Sequence, residues 1–217
     1  MKEQMGIRYL FLLPSISRLL QSITNYEQEQ FFAQWSTFRK EQEYLALDIT
    51  SISSYSELIS DVEWGYNRDG EDLPQVNLCL LLGETSRLPV FQTIYSGSIK
   101  DVSTLKSTLS MALNIGWDCL TLVMDKGFSS LKNINAMLDG ALKSRFIIPL
   151  PFTMKFTKAQ VLSQLNSIDV LDNTIVSGRD ILRGVTKERV WNSDGHKVYT
   201  HIYYNPKSPE YTYHIAR

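Results

Sequence analysis

The sequence predicts an α/β fold, a mixed β-sheet flanked by helices, and three observations predict it. Apolar runs of strand length recur between residues 44 and 150. Segments with helical spacing separate the later runs but not the first three. Two of the runs, 45–51 and 120–128, each carry one aspartate at or near the apolar end, Asp48 and Asp125. The order is three strands, helix, strand, helix, strand. The first three fit a meander, and the later ones need right-handed crossovers and parallel pairing.

Residues 7–40 read as mostly helical. Leu12, Ile16, Leu19, Leu20 and Ile23 recur at helical spacing, as do Phe31, Phe32, Trp35 and Phe38. The aromatic residues read as packing. Asn25 is the expected cap of the second helix, with Gln28 three residues later as in a capping box. The first strand is expected over 44–49. A polar segment follows and ends in residues 65–74, whose Gly, Asn, Asp and Pro mark turns. Residues 76–82 and 88–95 read as strands joined by a short turn, apolar enough for burial on at least part of both faces. Asp101 reads as the cap of a helix running to about 113, with Gly116 just beyond. Residues 120–124 form the fourth strand. A helix over 129–138 closes near Gly140, and a fifth strand over 145–150 is stopped by Pro149 and Pro151. Beyond it, 155–165 read as a short helix. Residues 185–191 and 197–204 alternate around Asn192-Ser193-Asp194-Gly195, a hairpin signal. The expected division is a helical segment over 1–43, a sheet-and-helix core over 44–150 and a β-rich region over 151–217.

The 217 residues are 43% hydrophobic and 21% charged, which suits one large domain and excludes wholesale disorder. A net charge of -1 is not that of a strongly basic stand-alone nucleic-acid binder, so any contact with DNA falls to a local patch. Cys79 and Cys119 lie in apolar strand-like runs and read as small hydrophobes. With no disulfide framework or zinc pattern, a reducing cytoplasm is the expected compartment. Residues 9–13 follow Lys2 and Arg8 and faintly mimic a signal peptide, but the run is short and Pro14 interrupts it. No apolar stretch reaches the roughly 20 residues of a membrane span.

Two carboxylates on neighbouring strands would bind a divalent metal through hard oxygen ligands. Such a site activates water or a hydroxyl against a phosphodiester. The plainer reading, two unrelated aspartates with one capping a helix and one in a turn, stays open on these runs alone.

Five segments in order extend the case: residues 48–56, Gly65-Tyr66-Asn67-Arg68-Asp69-Gly70, Leu73-Pro74-Gln75, Gly97-Ser98-Ile99-Lys100-Asp101 and residues 124–129. Together they resemble the DDE transposases of bacterial insertion sequences, most of all the branch with a GYNRDG signature in the superfamily named after insertion sequence four. The resemblance spans roughly residues 44–205. It implies a ribonuclease H-like core with two ions, Mg2+ or Mn2+, held by three carboxylates. These would activate first water and then a DNA 3′-hydroxyl for in-line attack. By position Asp48 matches the first carboxylate and Asp125 the second.

The third carboxylate of that family is a glutamate on a helix after a β-rich insertion, in a pattern like Y-x-x-R-x-x-x-E. This sequence lacks the pattern. After Asp125 its glutamates are Glu188, in an expected strand, and Glu210, in an expected polar turn after Pro209. The resemblance therefore implies a C-terminally truncated copy, with an N-terminal end-binding region also absent. The implied partners are DNA, as transposon ends and target, and a second copy or a full-length transposase. The alternative is a non-catalytic remnant that binds DNA or associates with a full-length transposase. A phosphatase-like use of Asp48-Ile49-Thr50 is disfavoured, because no second aspartate follows two residues on.

Lys126 is placed to neutralise a phosphate as a point charge, against the plainer reading of a solvated lysine. Arg68 either pairs with Asp69 or contacts DNA. Thr50 and Ser51 either line the site or simply continue the strand. Lys143, Arg145, Lys155 and Lys158 form a mildly basic stretch that reads as a solvated face. His196, His201 and His214 show no compact ligand pattern.

Overall fold

The computed structural model describes residues 14–38, 44–67, 69–117, 119–140, 144–191, 195–208 and 210–217. Two units are distinguished, Met1–Lys40 and Glu41–Arg217. In the first, α1 covers residues 14–22 and α2 covers Asn25–Phe38. The cap of α2 is Thr24, one residue before the expected Asn25. Thr24 N donates to the Glu27 carboxylate at 2.6 Å, the Thr24 hydroxyl bonds the same group, and Glu27 N returns a bond to Thr24 Oγ1 at 3.4 Å. Thr-x-x-Glu is the stronger capping-box pair, because a carboxylate accepts from the open backbone N–H groups and favours the helix N-terminus.

The second unit is built on one sheet. Its strands are β1 Tyr44–Ser53, β2 Gln75–Gly83, β3 Pro89–Ser96, β4 Thr121–Met124, β5 Arg145–Pro149, β6 Thr174–Ser177, β7 Asp180–Val190, β8 Lys197–Asn205 and β9 Glu210–Ala216. The helices are α3 Asp101–Asn114, α4 Leu131–Asp139 and α5 Lys155–Leu162. The spatial order is β3-β2-β1-β4-β5-β9-β8-β7-β6. As expected, β1, β2 and β3 are an antiparallel meander, and β4 and β5 join in parallel. Sequence reading missed β6 and β9. Glu210 opens β9 rather than lying in a turn, and β9 pairs with both β5 and β8. The later strands therefore continue the first sheet. The Asn192-Ser193-Asp194 part of the expected hairpin turn, Lys143 and the apolar run at 9–13 lie outside the described residues.

Alternation sorts the side chains onto two faces. One face carries Cys79 and Leu81, then Leu45, Leu47 and Ile49, then Leu122 and Met124, then Phe146 and Ile148, then Tyr213 and Ile215, all buried. The helices pack here. Thr108 of α3 reaches the Cys79 thiol at 3.7 Å and the Tyr95 hydroxyl at 2.9 Å, and Phe156 of α5 meets Trp191 and Tyr213 edge-on. Each of these large side chains contributes about 1.5–3 kcal/mol by leaving water.

The opposite face carries Asp48, Thr50 and Ile52 of β1, Leu78 and Leu80 of β2, Ile94 of β3, Val123 of β4 and Ile147 of β5. No described helix of this unit covers it. Ile94 is 58% exposed, Ile52 46% and Val123 38%. A shallow hollow on this face is lined by Tyr44, Thr121, Arg145, Ile147 and Tyr199, and neither aspartate borders it.

His201 and His214 stand opposite each other on β8 and β9. His201 Nδ1 shares a 2.8 Å hydrogen bond with Thr186 Oγ1, while His214 Nδ1 is buried without a partner. Burial lowers both imidazoles below the ordinary 6.5, and the charge of His201 lowers His214 further. The unfolded chain thus binds more protons than the folded one, so stability rises with pH there. The contribution is complete above about 6.5 and is lost as pH falls through the folded values. Thermal melts from pH 7.5 to 5.0 should show Tm falling by roughly 2–4 °C beyond the change in a His201→Gln/His214→Gln chain. Parallel curves for the two chains would refute the assignment.

Candidate active site

β1 and β4 run in parallel with Leu47 opposite Met124. Asp48 follows the first and Asp125 the second, and Asp125 keeps an extended backbone at φ -75, ψ 160. The two aspartates therefore occupy neighbouring positions on adjacent strands, about 5 Å apart at the backbone. Both are exposed while Leu47 and Met124 beside them are buried, so a rigid core holds two carboxylates with their tips in solvent.

The local bonds explain the shape. Asp48 Oδ1 accepts from Ile49 N at 2.8 Å. β4 ends at Met124, and the chain turns through a 3-10 segment, Lys126–Phe128, whose cap is Asp125. Asp125 Oδ2 accepts from Gly127 N at 3.3 Å, and the buried Phe128 anchors the turn. Lys126 projects from this turn into solvent beside Asp125. Arg68 lies outside the described residues.

The segment around the GYNRDG motif is tied to the open ends of β1 and β2. Glu63 and Gln75 exchange backbone bonds at 2.9 and 3.0 Å, and Ser54 N donates to Pro74 O at 2.9 Å. The fully buried Gln75 donates from Nε2 to Tyr66 O at 2.8 Å, and Asn67 Nδ2 donates to Ser53 Oγ at 2.9 Å. Asn77 Nδ2 reaches Ile99 O at 3.0 Å and Ser96 O at 3.2 Å. Gly65 packs on the backbone of Gly97 with no space for a side chain. The Glu63 carboxylate accepts from the hydroxyls of Ser96 and Ser98, which hold its pKa below the usual carboxylate range.

The donor set suits a hard cation. No three or more His, Cys, Asp or Glu among the described residues are gathered closely enough to hold a metal by themselves. Two carboxylates plus water and phosphate oxygens is the usual way Mg2+ is held. Two carboxylates converge on the turn after the pair: at Gly127 a Cβ would stand 3.5 Å from Asp125 Oδ2 and 3.2 Å from Asp101 Oδ2. Asp101 is the residue whose place beside Asp125 sequence reading did not anticipate. Its signal was the Gly97–Asp101 segment running directly into α3. The histidines stay apart from this site, with His196 Nε2 bonded to Asp139 Oδ1 at 2.6 Å and His201 and His214 on β8 and β9.

Residues 39–208 match the family described as the transposase DDE domain. The chain belongs to this family. No curated protein matches. Among solved structures, the DDE chain is similar to a chain of the piggyBac transposase synaptic complex with hairpin DNA, determined by cryo-electron microscopy. The TM-score is 0.52 at 10% identity, over 80% of this chain and 32% of that one. This likeness supports the ribonuclease H-like arrangement of the DDE fold. The DDE chain thus spans about a third of the piggyBac transposase chain. Among its described residues no helix is long and apolar enough to cross a membrane.

Proposed function

We propose that this DDE transposase belongs to the insertion-sequence-four superfamily, in the branch with the GYNRDG signature. Its reaction is metal-dependent phosphodiester hydrolysis and strand transfer on DNA. The observation that carries this reading is the adjacent placement of Asp48 and Asp125 on parallel strands inside the family match. Asp48 and Asp125 would hold Mg2+ or Mn2+. The ion, when bound, supplies Lewis acidity toward a phosphoryl oxygen and makes water a stronger nucleophile. Lys126 neutralises a phosphate beside Asp125, and Arg68 contacts the DNA from the GYNRDG turn. Residues 44–150 form the catalytic core in this reading, and 151–217 belong to the β-rich insertion. The chain's partners are transposon ends and target DNA, with a second copy or a full-length transposase, and it works in the cytoplasm.

One observation favours a second reading. The described residues gather no three-ligand metal group, so the chain would hold metal with incomplete geometry and act as a DNA-binding remnant. Incubating the purified chain with supercoiled plasmid and Mn2+ separates the two. Nicking that EDTA abolishes is expected for the transposase reading. Plasmid binding without nicking, by this chain and by a mixture with full-length transposase, would favour the remnant.

A further inference from the structure

Asp101 reads from sequence as a helix cap, but α3 begins at Asp101. Lys100 holds the cap position and makes no side-chain cap bond. Asp101 lies half-buried in the first turn. One side chain pins that turn to the turn after Asp125. The buried Asn133 donates from Nδ2 to Val102 O and to Phe128 O, both at 2.8 Å. The start of α3 therefore faces Gly127. A Cβ on Gly127 would stand 3.2 Å from Asp101 Oδ2 and 3.5 Å from Asp125 Oδ2, so the two oxygens are no more than about 6.7 Å apart. Asp48 stands on β1 at the position neighbouring Asp125.

We propose that Asp101 is a further carboxylate of the metal site and acts through a water molecule that the cation retains. This rests on the reading of Asp48 and Asp125 as the metal pair. Magnesium demands octahedral geometry at about 2.0–2.1 Å, sheds water reluctantly and takes one or two carboxylates directly. No third His, Cys, Asp or Glu among the described residues joins the pair in a group that could hold a metal directly. A carboxylate several ångströms away reaches the ion through its water shell and orients that shell. A side chain at Gly127 would crowd both carboxylates. In the plainer role an acidic residue in the first turn of a helix only complements its dipole, and that role predicts no change in metal affinity.

Titration of the purified chain with Mn2+, followed by water-proton relaxation, tests this. Asp125→Asn should lose most binding. Asp101→Asn should weaken it about tenfold, the scale typical of residues that hold a metal's outer sphere. Asp101→Glu should recover part of the loss. Gly127→Ala crowds both carboxylates without removing one and should weaken binding comparably, which keeps the test valid if Asp101→Asn folds poorly. Binding by folded Asp101→Asn and Gly127→Ala within twofold of wild type, with Asp125→Asn impaired, would overturn the role of Asp101. Unchanged binding in Asp125→Asn would instead overturn the carboxylate pair and this proposal with it.

Discussion

Asp125→Ala should abolish metal-dependent DNA cleavage while leaving the fold intact. The side chain is exposed, and its hydrogen bond within the fold is to Gly127 N at 3.3 Å. Losing one such exposed bond costs about 1 kcal/mol or less. With Asp125 as a ligand of the proposed metal site, its loss would remove several kcal/mol of transition-state stabilisation, about a thousandfold in rate or more. Thermal unfolding measures the first quantity and plasmid nicking with Mn2+ the second. Asp48→Ala should behave alike, because it stands at the neighbouring position on β1. Cleavage by Asp125→Ala at the wild-type rate would remove this aspartate from the site. A large fall in Tm would recast it as a structural cap.

Gly97→Ala should have the largest effect on stability. A methyl there would overlap the carbonyl oxygens of Gln75 and Glu63, which are backbone atoms and cannot swing away. Those oxygens belong to the paired bonds closing the Glu63–Gln75 bridge, and Gly97 N itself donates to Asp61 O at 3.1 Å. Relief requires the bridge to open or β3 to shift from β2. We expect a loss of about 3 kcal/mol, the upper range of overpacking costs, and a fall in Tm of roughly 10 °C. Circular dichroism melts would show it. Gly70→Ala makes a useful contrast. Its φ of +72 strains any side chain but nothing lies within contact, so its smaller loss is conformational. Equal melting of Gly97→Ala and wild type would mean that the bridge yields freely.

Both substitutions touch parts of the molecule that were readable to different degrees. The aspartate pair was legible because each residue ends an apolar run and the helical crossover between β3 and β4 permits parallel pairing. The first five strands were legible for the same reason: their apolar content is local and strong. β9 was not, since it begins at Glu210 beside Pro209 and becomes a strand only by pairing with β5 and β8. β6 was missed because all four of its residues are exposed, so no burial pattern marks it. Thr24 displaced Asn25 as cap by a single position, because Glu27 rather than Gln28 supplies the returning carboxylate. The place of Asp101 beside Asp125 depends on how α3 docks against the following turn. No spacing in the chain encodes that contact.

The pairing of β1 with β4 also dictates when the site exists. Asp48 and Asp125 are 77 positions apart in sequence, and they become neighbours only after the β1–β3 meander and α3 have formed between them. Contacts of such separation carry a loop-closure cost and slow folding. During synthesis the first aspartate leaves the ribosome well before the second. A nascent chain therefore does not bring Asp48 and Asp125 together until β4 has docked. The two aspartates meet only after synthesis has passed β4, a timing set by topology alone.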